Sequence, residues 1–181
     1  MNTLAILGII IGIIGIILIV LITIYNKYQW VIIKLNKGET SINMALEKKY
    51  HILLRYVDFL KNNIQVNEED FEEYKLVNTK LSLNKLNKKI EEMNNVINKY
   101  MDNNEKLLKN ETIVNINKEL LEVNTTINGC KKYYNDNLVN YNHLLNSFPS
   151  KIVGKIFKYK EKDFLDEEVK EELKILDEEK K

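Results

Sequence analysis

LAILGIIIGIIGIILIVLITI, residues Leu4–Ile24, is an uncharged stretch of leucine, isoleucine and Val20 broken only by Ala5, three glycines and Thr23. As a helix rising about 1.5 Å per residue, it covers the ~30 Å hydrocarbon core of a bilayer. Leu and Ile near the centre of such a helix each favour insertion by roughly 0.3 to 0.6 kcal/mol, which outweighs three glycines and one threonine. The stretch reads as a membrane-spanning helix, and the rest of the chain hangs from it.

A cleaved signal peptide is the competing reading. It needs a basic leader, a shorter apolar run and a small-x-small cleavage site. Met1-Asn2-Thr3 has no basic side chain, the run is too long, and Tyr25-Asn26-Lys27-Tyr28 offers no Ala-x-Ala. Lys27, Lys34 and Lys37 follow the span and no Lys or Arg precedes it, so the C-terminal domain is expected in the cytoplasm. Within the span, Ala5, Gly8, Gly12 and Gly15 step by three, four and three. That small-residue stripe allows two spanning helices to approach closely and permits a homo-oligomer through the anchor.

Beyond the anchor the chain is long enough for one domain with a modest core. Its 27 Lys and Arg nearly balance 26 Asp and Glu, for a net charge of +1. No general attraction to nucleic acid follows, and no basic stripe interleaved with aromatics appears. The single Cys130 excludes an intrachain disulfide and suits a reducing cytoplasm. The abundance of Asn, Lys and Ile reads as the coding bias of an AT-rich bacterial genome, because Asn is a poor helix former.

Strong helix breakers are scarce after the span: Pro149 is the one proline, and the glycines are Gly38, Gly129 and Gly154. Long helices follow. Leu35, Glu39, Ile42, Leu46, Lys49, Leu53, Tyr56 and Leu60 step by four and three, and the steps extend back through Ile32, Tyr28 and Tyr25. The first helix is therefore continuous with the anchor and runs to about Asn62. A second helix is expected from Asn67, a capping residue followed by Glu68, Glu69 and Asp70, to about Met101. Its seam is Leu76, Thr79, Leu83, Leu86, Ile90, Met93, Ile97 and Tyr100.

Asp102-Asn103-Asn104 reads as a turn, and a third helix begins near Glu105 or Asn110 and continues to Phe148, where Pro149 stops it. Short connections make these helices an antiparallel up-down-up bundle, with a coiled coil between chains as the alternative. The expected organisation is all-α: an anchor over 1–24, a bundle over 25–157 with a short C-terminal helical segment, and a charged tail over 158–181. A weakly amphipathic helix is expected in that tail on Phe164, Leu165, Val169, Leu173 and Leu176.

The segment Lys131-Lys132-Tyr133-Tyr134-Asn135-Asp136-Asn137-Leu138-Val139-Asn140-Tyr141-Asn142, ending at Phe148-Pro149, resembles the signature of the LemA family. There, basic residues lead into Tyr-Asn, a Val, a second Tyr-Asn and Phe-Pro. Leu46 to Val57, with Lys48 and Lys49 at its start, is similar to a second family stretch, and Tyr25-Asn26 to a third. The chain departs from the pattern at Lys48 and Lys49, where the family usually has Arg, at His51 for Asp, and at Leu54-Arg55 for Pro-Asn; over residues 65 to 110 the likeness is poor. The resemblance implies a bacterial single-pass inner-membrane protein with a helical-bundle domain and no established enzymatic activity.

In the expected bundle, Lys49 and Asn135 each lie about 13 residues before their helix ends. Lys48, Lys49 and Tyr56 should then face Tyr134, Asn135, Tyr141 and Asn142 in one cluster, roughly 35 Å from the membrane surface. Two readings stay open. In one, Tyr hydroxyls and Asn amides satisfy one another and fix helix register. In the other, the cluster is a polar groove for a partner, with Phe148 and Pro149 at the helix exit completing the family motif.

Catalytic sets are absent from the pattern. His51, His143 and Cys130 do not have metal-ligand spacing, and there is no Gly-rich phosphate loop, Gly-x-Ser-x-Gly, kinase or zincin motif. Glu91-Glu92 and Glu167-Glu168 are sequence neighbours, so on a helix they point apart. No cofactor, metal or small-molecule substrate is expected. The sequence points to a membrane-anchored structural or interaction protein that presents helical surfaces to a protein partner. The alternative is a signalling or transport accessory that transmits a change through the continuous first helix.

Overall fold

The seam from Tyr28 to Leu60 builds a single helix. In the computed structural model, which describes residues 3–74 and 82–162, α1 runs unbroken over Thr3–Asn63. It is followed by a single turn, α2 (Glu69–Glu72), then α3 (Leu83–Asp102), a 3-10 helix η1 (Glu105–Lys109), α4 (Glu111–Asn146) and α5 (Ser150–Ile156). Among the described residues there is no strand. Among the described residues α1 is the one helix long and apolar enough to cross a membrane, and its most apolar stretch is not buried by the rest of the described protein.

The chain divides into two units, the first of Met1–Lys37 with Tyr134–Lys181 and the second of Gly38–Tyr133. The first unit is built around Tyr28, which is fully buried. Its hydroxyl donates to the Ser150 carbonyl at 3.2 Å, and its ring meets Tyr141 edge-on at 6.1 Å and Tyr159 at 4.9 Å. Gly154 lies close beneath it: a Cβ there would lie 2.9 Å from the Tyr28 hydroxyl and 3.1 Å from Leu145 Cδ2, so these side chains would have to shift to admit one. Pro149 does end the third long helix: α4 stops at Asn146 and α5 begins directly after the proline. Past α5, Lys158 adopts a left-handed conformation (φ 55°), and the Tyr159 N–H reaches the Gly154 carbonyl at 2.9 Å. This helix-ending turn sends the chain back, so that Tyr159 lies on Tyr28 and accepts from Gln29 Nε2 at 2.8 Å.

In the second unit, Ile42, Leu46, Leu53 and Leu60 of α1 are buried, as are Leu86, Ile90, Met93, Ile97 and Met101 of α3 and Ile113, Ile116, Val123 and Ile127 of α4. Arg55 pairs with Glu119 and Tyr56 with Asn117, while Lys49 shares a cleft with Asn124 and Asn128. Rising numbers on α1 meet falling numbers on α4, so the two helices are antiparallel. α3 behaves oppositely. Lys49 meets Glu91, and beyond the end of α1 the Asn67 N–H donates to the Tyr100 hydroxyl at 3.1 Å, which itself donates to Asp70 at 2.7 Å. α3 therefore runs parallel to α1, and the expected up-down-up order is corrected.

The physical reason is a break in the expected second helix. Asn67 does act as a start signal, its Oδ1 accepting the Glu69 N–H at 3.3 Å, yet α2 lasts one turn. Phe71 is buried 5.8 Å from the Tyr100 ring, and the Tyr74 carbonyl accepts from the Tyr50 hydroxyl at 2.6 Å. Those anchors hold the turn, and α3 starts anew after Ser82, which is extended. Leu76 and Thr79 lie outside the described residues, as do Phe164, Leu165, Val169, Leu173 and Leu176. The turn expected at 102–104 is present. Of the two starts considered for the third helix, α4 takes the later, with Asn110 Oδ1 accepting the Thr112 N–H at 2.9 Å.

Candidate functional site

Residues three and four apart share a helix face. On α3 that spacing aligns Asn87, Glu91 and Asn94, and on α4 it aligns Asn124, Ile127, Asn128 and Lys131. With Lys49 of α1 these residues line a cleft of about 300 Å³ in the second unit. Lys49 occupies a seam position, where its side chain is buried, and its ammonium donates to Glu91 Oε1 at 2.7 Å. An ammonium withdrawn from water costs several kcal/mol unless paired. Glu91 is that partner, and its own side chain remains half exposed.

Two ammonium groups and one carboxylate stand in the lining. Each of the four asparagines adds one carbonyl acceptor and an NH2 with two donors. This is chemistry for recognising amides and other polar groups. No serine, threonine, cysteine or histidine lines the cleft, and among the described residues no group of His, Cys, Asp or Glu could hold a metal ion.

One lysine from each basic pair of the family-like motifs reaches this cleft, since Lys49 and Lys131 both line it. The remainder of the expected cluster divides. Lys48 is exposed, with its charge near Glu119. Tyr56 is buried and hydrogen-bonded to Asn117; burial pushes its hydroxyl pKa up and the amide partly offsets the rise. Tyr134, Asn135, Tyr141 and Asn142 belong to the first unit. There Tyr141 is buried, donating to the Lys160 carbonyl at 3.0 Å, and Asn142 Nδ2 donates to the Lys162 carbonyl at 3.4 Å. The Oδ1 atoms of Asn135 and Asn142 are buried without a hydrogen-bond partner. Phe148 is exposed and Pro149 leads into α5. The expected bundle, matching residues equally far from their helix ends, placed Asn135 opposite Lys49; the observed register of α1 against α4 puts Asn124 and Asn128 there instead.

Along the anchor, a Cβ at Gly8, Gly12 or Gly15 would meet nothing within 4 Å, so the stripe begun at Ala5 is open. Asn87, Asn94, Asn124 and Asn128 are what sequence reasoning missed. Their i, i+4 and i, i+7 spacings were a usable signal, hidden by the high asparagine content of the whole chain.

Comparison with curated proteins and with solved structures returned no match. A family model does match: LemA family, over residues 39–175. That match covers well over half of the chain and includes every residue that lines the cleft, and the chain belongs to the LemA family.

Proposed function

We propose that this protein is held in the bacterial inner membrane by Leu4–Ile24, with its helical domain in the cytoplasm, and that it is a non-enzymatic interaction protein. The cleft around Lys49 is its recognition site, and a short polar segment of a protein partner is the ligand. The observation behind this reading is the Lys49–Glu91 pair beside Lys131 in a lining of asparagines. A cleft this polar, at the small end of ligand-site volumes, suits one or two side chains of a macromolecule better than a largely apolar small molecule.

A photo-crosslinking amino acid at Asn128 in living cells tests the reading. A discrete crosslinked product that is lost with Lys131→Glu is expected; a product unchanged by that substitution would remove the cleft from the proposal. A periplasm-active phosphatase fused to the C-terminus should be inactive, and activity would reverse the orientation. Homo-oligomers through Ala5, Gly8, Gly12 and Gly15 belong to the same reading, with Gly12→Ile expected to abolish crosslinking between anchors.

One observation favours a second reading, a signalling or transport accessory: α1 continues without a break from the apolar stretch into the second unit. A Gly-Pro insertion near Lys37 should then abolish a response while partner crosslinking persists. An unchanged response would eliminate it.

A further inference from the structure

The first unit contains an apolar groove of about 320 Å³ whose one wall is Leu21, Ile22 and Tyr25 of α1 and whose other is Val153, Ile156 and Phe157. In and next to α5 apolar side chains are unusually uncovered: Ile156 is 61% exposed, Ile152 and Phe157 are exposed as well, and so is Phe148 just before Pro149. A seven-residue helix gains little by presenting that much apolar surface to water. One wall supplies the explanation. Leu21 and Ile22 belong to the stretch read as membrane-spanning, so a groove that they form opens onto the hydrocarbon edge of the bilayer.

Charge points the same way. Lys151, Lys155 and Lys158 alternate with the exposed apolar residues and are themselves exposed. From Ser147 to Tyr159 the lysines Lys151, Lys155 and Lys158 are the charged residues, with no acid among them. A local run of this kind suits contact with anionic headgroups. Trp30, exposed and covered by the Lys34 ammonium 3.3 Å from its ring centroid, has the amphipathic character of a residue at the membrane-water boundary.

We propose that α5 is a second membrane contact: a phospholipid acyl chain fills the groove against Leu21, Ile22 and Tyr25, and the lysines of α5 meet anionic headgroups. Phe148, Ile152 and Ile156 enter the interfacial layer, as in an amphipathic helix lying in the membrane plane. The proposal rests on the membrane-spanning reading of Leu4–Ile24.

The test uses full-length protein carrying Cys130→Ser, with single nitroxide-labelled cysteines at Ile13, Ile156 or Leu121, in phosphatidylcholine nanodiscs with or without phosphatidylglycerol. Leu121 is the water reference, being 69% exposed in the second unit. Labels at 13 and 156 should both be accessible to oxygen and shielded from a water-soluble nickel chelate, the label at 156 being the shallower, while the label at 121 is open to nickel. A label at 156 as open to nickel as that at 121, with 13 still in lipid, would overturn the proposal and leave the anchor standing. All three open to nickel would overturn both.

Shielding of 156 from oxygen as well as nickel would mean that protein, a second copy or a partner, fills the groove, and would also overturn it. Lys151→Gln, Lys155→Gln and Lys158→Gln together should cut the enrichment of phosphatidylglycerol over phosphatidylcholine in co-purified lipid by about tenfold. Unchanged enrichment would overturn the headgroup contact.

Discussion

Lys49 and Glu91 form a lopsided ion pair: the ammonium and carboxylate are 2.7 Å apart, but the lysine side chain is 6% exposed and the glutamate side chain 47%. Removing either partner breaks the same bond, and the two losses have different costs. Glu91→Gln strands a buried ammonium and is expected to destabilise by about 2 to 4 kcal/mol. Lys49→Met removes the buried charge, keeps the apolar stem and leaves a carboxylate that water can reach, at a cost of about 1 kcal/mol or less. Urea unfolding of the two variants in the same detergent checks the order; equal losses would refute it.

Gly154 and Tyr28 are coupled by contact. Gly154→Ala places a methyl 2.9 Å from the Tyr28 hydroxyl and should destabilise by about 1 to 3 kcal/mol. Tyr28→Phe alone gives up the hydrogen bond to the Ser150 carbonyl, at about 1 kcal/mol. In the double variant the clashing oxygen is gone, so the loss should be smaller than the sum of the two. A thermal-melt double-mutant cycle measures this, and strict additivity would contradict the contact.

Alkaline pH should loosen the fold through buried tyrosines. Burial, and then the neighbouring Glu73 and Glu92, push the Tyr74 hydroxyl up to about 12; burial likewise raises Tyr28, Tyr56 and Tyr141. A raised folded pKa means that the unfolded chain gives up its proton first. The contribution of these groups is therefore complete below about pH 10 and is lost as pH rises toward 12. Melting temperature should fall across that window, and Tyr74→Phe should lessen the fall; a flat profile would count against burial of these phenols.

Arg55 and Glu119 offer the contrast. The guanidinium hydrogen bond holds the Glu119 carboxyl below its usual pKa, so this contribution is present near neutrality and is lost as pH falls through the lowered pKa. Both side chains are substantially exposed, and surface pairs contribute little. Arg55→Ala should leave urea unfolding nearly unchanged and return the Glu119 carboxyl, followed by NMR, toward its ordinary titration.

Much of the helix content was legible because it rests on periodicity. The α1 seam, the α3 residues Leu86, Ile90, Met93 and Ile97, and the stop at Pro149 all follow from apolar spacing and proline chemistry. The break after Glu72 was not, because no Gly or Pro marks it; it is held by Phe71 against Tyr100 and by the Tyr50 hydroxyl on the Tyr74 carbonyl. Losing that break reversed the direction of α3 and, with it, the register of α4 on α1. The site was half legible for the same reason. Lys49 and the basic residues before Tyr133-Tyr134 stood out as motifs, but which residues they meet depends on helix direction, and helix direction is decided in the turns.

Tyr28 and Ser150, joined by one hydrogen bond, are separated by 122 residues. At about 5 to 20 residues per second, the ribosome takes about 6 to 25 s to make the second after the first. The second unit, a continuous stretch of chain, is complete on emergence, whereas the first waits for α4 and α5. During that interval Tyr28 and Leu35 have left the ribosome without the residues that will cover them, and non-local closures of this kind are the slow steps of folding. The order of synthesis thus makes the segment beside the anchor the last to mature, and a nascent chain stalled before Tyr134 would expose it to chaperones and proteases.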